Sequence, residues 1–158
     1  IQDVYLEHSS WADLPYKFEA GTPAIGEAIG MGVAIDYLQQ LGLDNIHAWE
    51  HQLKLQLFDR LQAIDGLRVL GPSPQQQPDR AVLAAFTVDD LHPNDIGALL
   101  DSEGICIRSG HHCTQPLHRH YGIPGSARAS LSFTNTLEEV DRFAEELVAT
   151  IGFLRQNS

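Results

Sequence analysis

The run Arg108-Ser109-Gly110-His111-His112-Cys113-Thr114-Gln115-Pro116 gathers a thiol, two imidazoles and a guanidinium. Such a set can do nucleophilic chemistry. The thiolate is the attacking form of cysteine, cationic neighbours favour it, and histidine takes or gives a proton near neutral pH. Gly110 and Pro116 bracket Cys113, so the segment is predicted to be a loop. Further on, Arg128 stands in Ser126-Ala127-Arg128-Ala129-Ser130. Its planar fork suits two-point capture of a carboxylate. Cys113 and Arg128 are therefore read as serving one substrate.

Other readings stand beside that one. His111, His112, Cys113, His118 and His120 are five possible metal ligands, although adjacent histidines rarely share an ion and no C-x-x-C pair accompanies them. A histidine-rich surface loop without a role is another reading, and Arg128 could face solvent or pair with an acid. His47 and His51 are spaced like a metal pair but lack a third ligand nearby, which points to a solvated helix face.

These residues must be positioned by a small body. The chain has 158 residues, about one domain. A formal charge of −11, from 21 acids against 10 bases, argues against nucleic acid and against an anionic membrane surface. No apolar run approaches the roughly 20 residues of a membrane span, and no secretion signal opens the chain. Two cysteines are too few for a disulfide scaffold, so Cys106 and Cys113 are expected to be reduced thiols in the cytoplasm. The apolar opening at Ile1, without an initiator methionine, leads us to expect a piece of a longer protein.

One short strand is expected within residues 1–5, then irregular backbone to 17. Gly21-Thr22-Pro23 predicts a turn, a cap and the first turn of a helix ending at Gly42. That helix start is a weak candidate anion site. Gly26, Gly30 and Gly32 weaken the helix, so close packing should hold it. Asp44 is expected to cap a helix over 45–64, with Ile46, Trp49, Leu53, Leu57 and Leu61 as its stripe. Strands follow at 67–70 and 80–88, then a helix from 91–95 to Gly104 and a strand at 105–109. There Ile105 and Ile107 share one face, and Cys106 is read as semi-buried. A helical turn is expected at 117–121 and a strand at 127–133. A last helix follows, with Thr136 and Glu139 as its capping box. The fold class is α+β, with helices on one side of a small sheet.

Three segments taken together resemble a known family. They are Phe18-Glu19-Ala20-Gly21-Thr22-Pro23, Arg108-Ser109-Gly110-His111-His112-Cys113 and Ala127-Arg128-Ala129-Ser130, followed by Asn135-Thr136-x-Glu138-Glu139. In this order they are similar to group II, Suf-type cysteine desulfurases of the class-V aminotransferase-like family, fold-type I enzymes that use pyridoxal 5'-phosphate. The resemblance implies that L-cysteine is converted to L-alanine, with a persulfide left on Cys113. It implies that Arg128 clamps the substrate carboxylate and that Arg108 also contacts substrate. It further implies that Gly21 and Thr22 reach the cofactor phosphate of a partner subunit, and that His111 and His112 handle protons.

By the same resemblance the cofactor lysine lies outside this chain, since neither Lys17 nor Lys54 has the family's setting. Residues 1–42 would be the tail of the cofactor-binding large domain and 43–158 the C-terminal small domain of a homodimeric enzyme. That enzyme would pass sulfur to an acceptor or scaffold protein of iron–sulfur cluster assembly, and this chain alone would be inactive. A standalone binding module for the acceptor, a selenocysteine lyase and an aminotransferase relative remain as alternatives.

Overall fold

The computed structural model describes residues 1–157. The chain divides into two compact units, Ile1–Leu43 and a second that begins at Asp44. In the first, β1 (Asp3–Val4) pairs antiparallel with β2 (Ser9–Ser10), a 3₁₀ turn spans Tyr16–Phe18, and α1 is Ile25–Leu41. The β2 pairing falls where irregular backbone was expected.

The second unit contains α2 (Leu43–Gln62, from the last residue of the first unit), β3 (Leu67–Leu70), β4 (Leu83–Val88) and α3 (Pro93–Ser102). After these come β5 (Arg108–Gly110), α4 (Gln115–Tyr121), β6 (Ser126–Ser130) and α5 (Leu137–Gln156). The strands form an antiparallel sheet of order β3-β4-β6-β5. Alternation decides its faces. Ala84, Phe86 and Val88 of β4 are buried, and the register places Ala84 opposite Ala129 and Phe86 opposite Ala127. Against that face pack Leu53, Leu57 and Leu61 of α2, Ile96 and Leu100 of α3, and Val140, Phe143, Leu147 and Ile151 of α5. Each fully buried side chain of this size stabilises by roughly 1.5–3 kcal/mol relative to exposure. The second unit is thus α+β with α2, α3 and α5 on one side of its sheet, as expected for the small domain. The opposite face carries Arg128 and its cross-strand partners Ala85 and Arg108.

Several local expectations are corrected. Thr22 caps nothing: α1 starts after Ala24, with no side-chain cap, and the Ile25 N–H donates to the Pro23 carbonyl at 2.8 Å. Asp44 lies inside the first turn of α2, where its charge still suits the helix dipole. A Cβ at Gly26, Gly30 or Gly32 would meet open space, and no residue of α1 is buried, so this chain does not supply the close packing expected. β4 starts at Leu83, because residue 80 still belongs to a turn in which Arg80 donates to the carbonyls of Pro72 and Leu83 and stacks 4.3 Å from the Phe58 ring. β5 starts only at Arg108, where pairing with β6 begins.

The predicted alternation before it persists, leaving Ile105 and Ile107 against the core and Cys106 exposed, not semi-buried. β6 stops at Ser130, since a turn follows in which the Ser132 N–H donates to Asn135 Oδ1 at 2.9 Å. The capping box of α5 forms: Thr136 Oγ1 accepts from the Glu139 N–H at 3.2 Å, and Glu139 Oε2 accepts from the Thr136 N–H at 3.0 Å. Lys54 lies between the stripe residues of α2, where it is 2% exposed and its Nζ donates to the carbonyls of Pro78 and Arg80. Among the described residues no helix is long and apolar enough to cross a membrane.

Candidate active site

The β5–β6 register sets Arg108 directly opposite Arg128. Directly paired residues on adjacent strands send their side chains to the same face, and like charges so placed are destabilising. The sequence between the strands folds back sharply. Gly110 (φ 111°), His112 (φ 51°) and Cys113 (φ 61°) all take left-handed backbone. That conformation is uncommon for residues other than glycine and must be held by surrounding structure. The result brings the Arg108 Nη2 to 3.8 Å from the Cys113 Sγ. Cys113 is exposed and free. An accessible thiol beside a guanidinium has the electropositive surroundings of reactive cysteines.

His112 Nε2 lies 3.1 Å from the Ser126 carbonyl oxygen. A carbonyl only accepts, so Nε2 carries the proton and Nδ1 presents a lone pair. That Nδ1 is buried without a hydrogen-bond partner. Burial, and then the positive charge of Arg128, hold the His112 imidazole below its ordinary range, which favours the neutral base. His111 is exposed, with its ring 5.4 Å from that of His118 in an edge-to-face contact.

Arg128 is half-buried, and its Nε is buried without a partner. Its side chain makes no hydrogen bond or ion pair with any described residue, although the chain carries 21 acids. Pairing with an acid is therefore not its role here. Among the described residues no three His, Cys, Asp or Glu side chains gather as a metal site would require.

The residue that sequence reasoning missed is His118, which figured only as one candidate ligand. It is 4% exposed, with Nδ1 3.0 Å from the Thr114 carbonyl and Nε2 2.9 Å from Ser126 Oγ. Its position four residues after Thr114, across one helical turn, was the available signal.

Gly21 and Thr22 belong to the first unit and stand in an exposed bend ahead of α1. A Cβ at Gly21 would meet nothing, and α1 has no side-chain cap; the Ile25 N–H is taken by the Pro23 carbonyl, which leaves those of Gly26 and Glu27 open to an anion. Glu27 in the first turn opposes that charge. A cavity of about 290 Å³ lined by Cys106, Asn135 and Arg142 includes neither Cys113 nor Arg128.

The profile of the family described as aminotransferase class-V matches residues 1–143. A probable cysteine desulfurase of Synechocystis sp. is 54% identical over 153 residues, which cover 97% of this chain and 36% of that protein. A probable cysteine desulfurase of Halalkalibacterium halodurans is 45% identical, covering 95% of this chain and 36% of its own length. Among solved structures, the apo cysteine desulfurase of Thermococcus onnurineus NA1 superposes with a TM-score of 0.77 at 38% identity, over 94% of this chain and 36% of that one. The Escherichia coli cysteine desulfurase CsdA gives 0.77 at 28% identity, over 96% of this chain and 36% of that one. This chain thus spans little more than a third of the length of these relatives. By the extent of the profile match and by these identities, the chain belongs to the class-V aminotransferase family.

Proposed function

We propose that this chain is the C-terminal portion of a pyridoxal phosphate-dependent cysteine desulfurase. The observation that carries the reading is the pair Arg108–Arg128, set in register with a free thiol against one of its guanidiniums. Two like charges in direct register are unfavourable on their own. A carboxylate between them turns the repulsion into two charged contacts, and L-cysteine brings a carboxylate together with the sulfur to be attacked.

In this reading Arg128 grips the carboxylate and Arg108 stands between substrate and nucleophile. Cys113 Sγ attacks the substrate sulfur. A sulfur–sulfur bond forms, the substrate carbon–sulfur bond breaks, and the substrate Cβ takes up a proton. L-Alanine and a persulfide on Cys113 result, with atoms and electrons balanced. In this reading the neutral His112 receives the thiol proton, and the exposed His111 is a second proton carrier. Pyridoxal phosphate, when bound, supplies the electron sink for this cleavage. Gly21, Thr22 and the open start of α1 would meet its phosphate in a partner subunit of a homodimer. The lysine that tethers it would lie in the part of the protein preceding this chain. Residues 1–42 are then the tail of the large domain and 43–158 the small domain, a reading supported by the division after Leu43. The product sulfur would pass to an acceptor protein of iron–sulfur cluster assembly in the cytoplasm.

The test uses the full-length protein with L-cysteine. Wild type should yield alanine and an enzyme persulfide, and Cys113→Ser should yield neither. Undiminished persulfide in Cys113→Ser would overturn the assignment.

A further inference from the structure

We propose that His118 is a positioning residue that latches the Cys113 loop to β6 and so holds the thiol at the arginine pair. The inference rests on the desulfurase reading. A buried imidazole in the short helix α4 needs partners for both nitrogens, and it has them. The Thr114 carbonyl can only accept, so His118 Nδ1 donates to it at 3.0 Å. Nε2 pairs with the Ser126 hydroxyl at 2.9 Å. Ser126 itself is 1% exposed.

The same serine holds the other side of the loop, because its carbonyl accepts from His112 Nε2 at 3.1 Å. Ser126 thus ties down residues on both sides of Cys113 at once. It sits two positions before Arg128 on the same strand, where alternation gives both residues the same face. The nucleophile loop is therefore referenced directly to the strand that bears the clamp. The latch also explains how His112 and Cys113 are kept in left-handed backbone, which the local sequence does not favour. The edge of His111 against the His118 ring adds a further contact from the loop.

The experiment uses the full-length protein. Ser126→Ala removes the hydroxyl but leaves the carbonyl for His112. His118→Phe keeps a ring and removes both nitrogens, and Ser126→Thr restores a hydroxyl. Two quantities are read: the steady-state kcat and KM for L-cysteine, and hydrogen–deuterium exchange of the peptide over residues 111–114. Misplacing a reacting group by about 1 Å can cost on the order of a hundredfold in rate. Ser126→Ala and His118→Phe should therefore lower kcat by roughly ten- to a hundredfold, with KM changed less than about threefold, since Arg128 still holds the carboxylate. Loop exchange should quicken in both variants, and Ser126→Thr should recover most of both losses. Wild-type kcat together with wild-type loop exchange in both variants would overturn the latch, and so would a fall in kcat that Ser126→Thr does not reverse. If wild type produced no alanine, the desulfurase reading would fall instead, and loop exchange alone would decide whether the latch exists.

Discussion

In α5, Val140, Phe143, Leu147 and Ile151 recur every three or four residues, and all are buried. In α1, Ile25, Ile29, Met31, Val33, Ile35 and Tyr37 are at least as apolar, and each is between 45% and 67% exposed. The α5 pattern is a stripe with Glu138, Asp141 and Glu145 around it, suited to one core and to solvent. The α1 pattern is apolar on nearly every side, which is the composition of a helix surrounded by protein. The second unit therefore has its own core, whereas the first is built for surroundings this chain does not bring. That contrast fits a chain spanning little more than a third of its relatives' length. It also separates the proposed site: the thiol and arginines sit on the self-sufficient unit, and Gly21 and Thr22 on the dependent one.

The largest expected effect is on stability. Leu57, fully buried, should cost about 2–5 kcal/mol when replaced by Ala, read by urea unfolding of this chain. Ile29→Ala should change the same measurement by less than about 0.5 kcal/mol, since Ile29 is 66% exposed. In the full-length protein the Ile29→Ala cost should rise toward that of Leu57→Ala. Equal costs in this chain would break the comparison.

Next in size, on the proposed function, Arg128→Ala should lower kcat/KM for L-cysteine by roughly ten- to a hundredfold in the full-length protein, the equivalent of losing a charged hydrogen-bonded contact of about 1.5–3 kcal/mol. The stability of this chain should fall little, because Arg128 has no partner among the described residues to lose.

The smallest effect concerns pH. His112 is held below the ordinary imidazole value of 6.5 by burial and then by Arg128. As pH falls below 6.5, the unfolded chain takes up a proton that the folded site resists, so His112 reduces stability progressively toward its lowered folded value. Above 6.5 it is neutral in both states and contributes no pH dependence. Urea unfolding from neutral to mildly acidic pH should show a decline in wild type that is shallower in His112→Gln. Identical slopes would show that the second unit does not hold this imidazole neutral.

Where period and burial coincide, the sequence is readable. The α2 stripe from Trp49 to Leu61 though not Ile46, the stripe of α5, the capping box at Thr136 and the alternation that buries Ala127 and Ala129 all follow from local pattern. The β5–β6 register that sets Arg108 against Arg128 is a pairing across the sheet, which neither strand states alone. His118 was misjudged for a related reason. Its partners Thr114 and Ser126 lie on different elements, and a histidine among histidines suggests ligands before anchors. The end of β6 was overrun because the apolar alternation of Leu131 and Phe133 continues past the point where Asn135 folds the backbone into a turn. Cys106 was placed on the side opposite Ile105 and Ile107, as observed, but that side proved to be the one the helices leave uncovered.

The most direct measurement is peptide mass spectrometry of the full-length protein after brief exposure to L-cysteine, with thiols trapped by alkylation. One added sulfur atom should appear on the peptide carrying Cys113 and none on the peptide carrying Cys106. Alanine release without sulfur on Cys113, or with sulfur on Cys106 instead, would contradict the account.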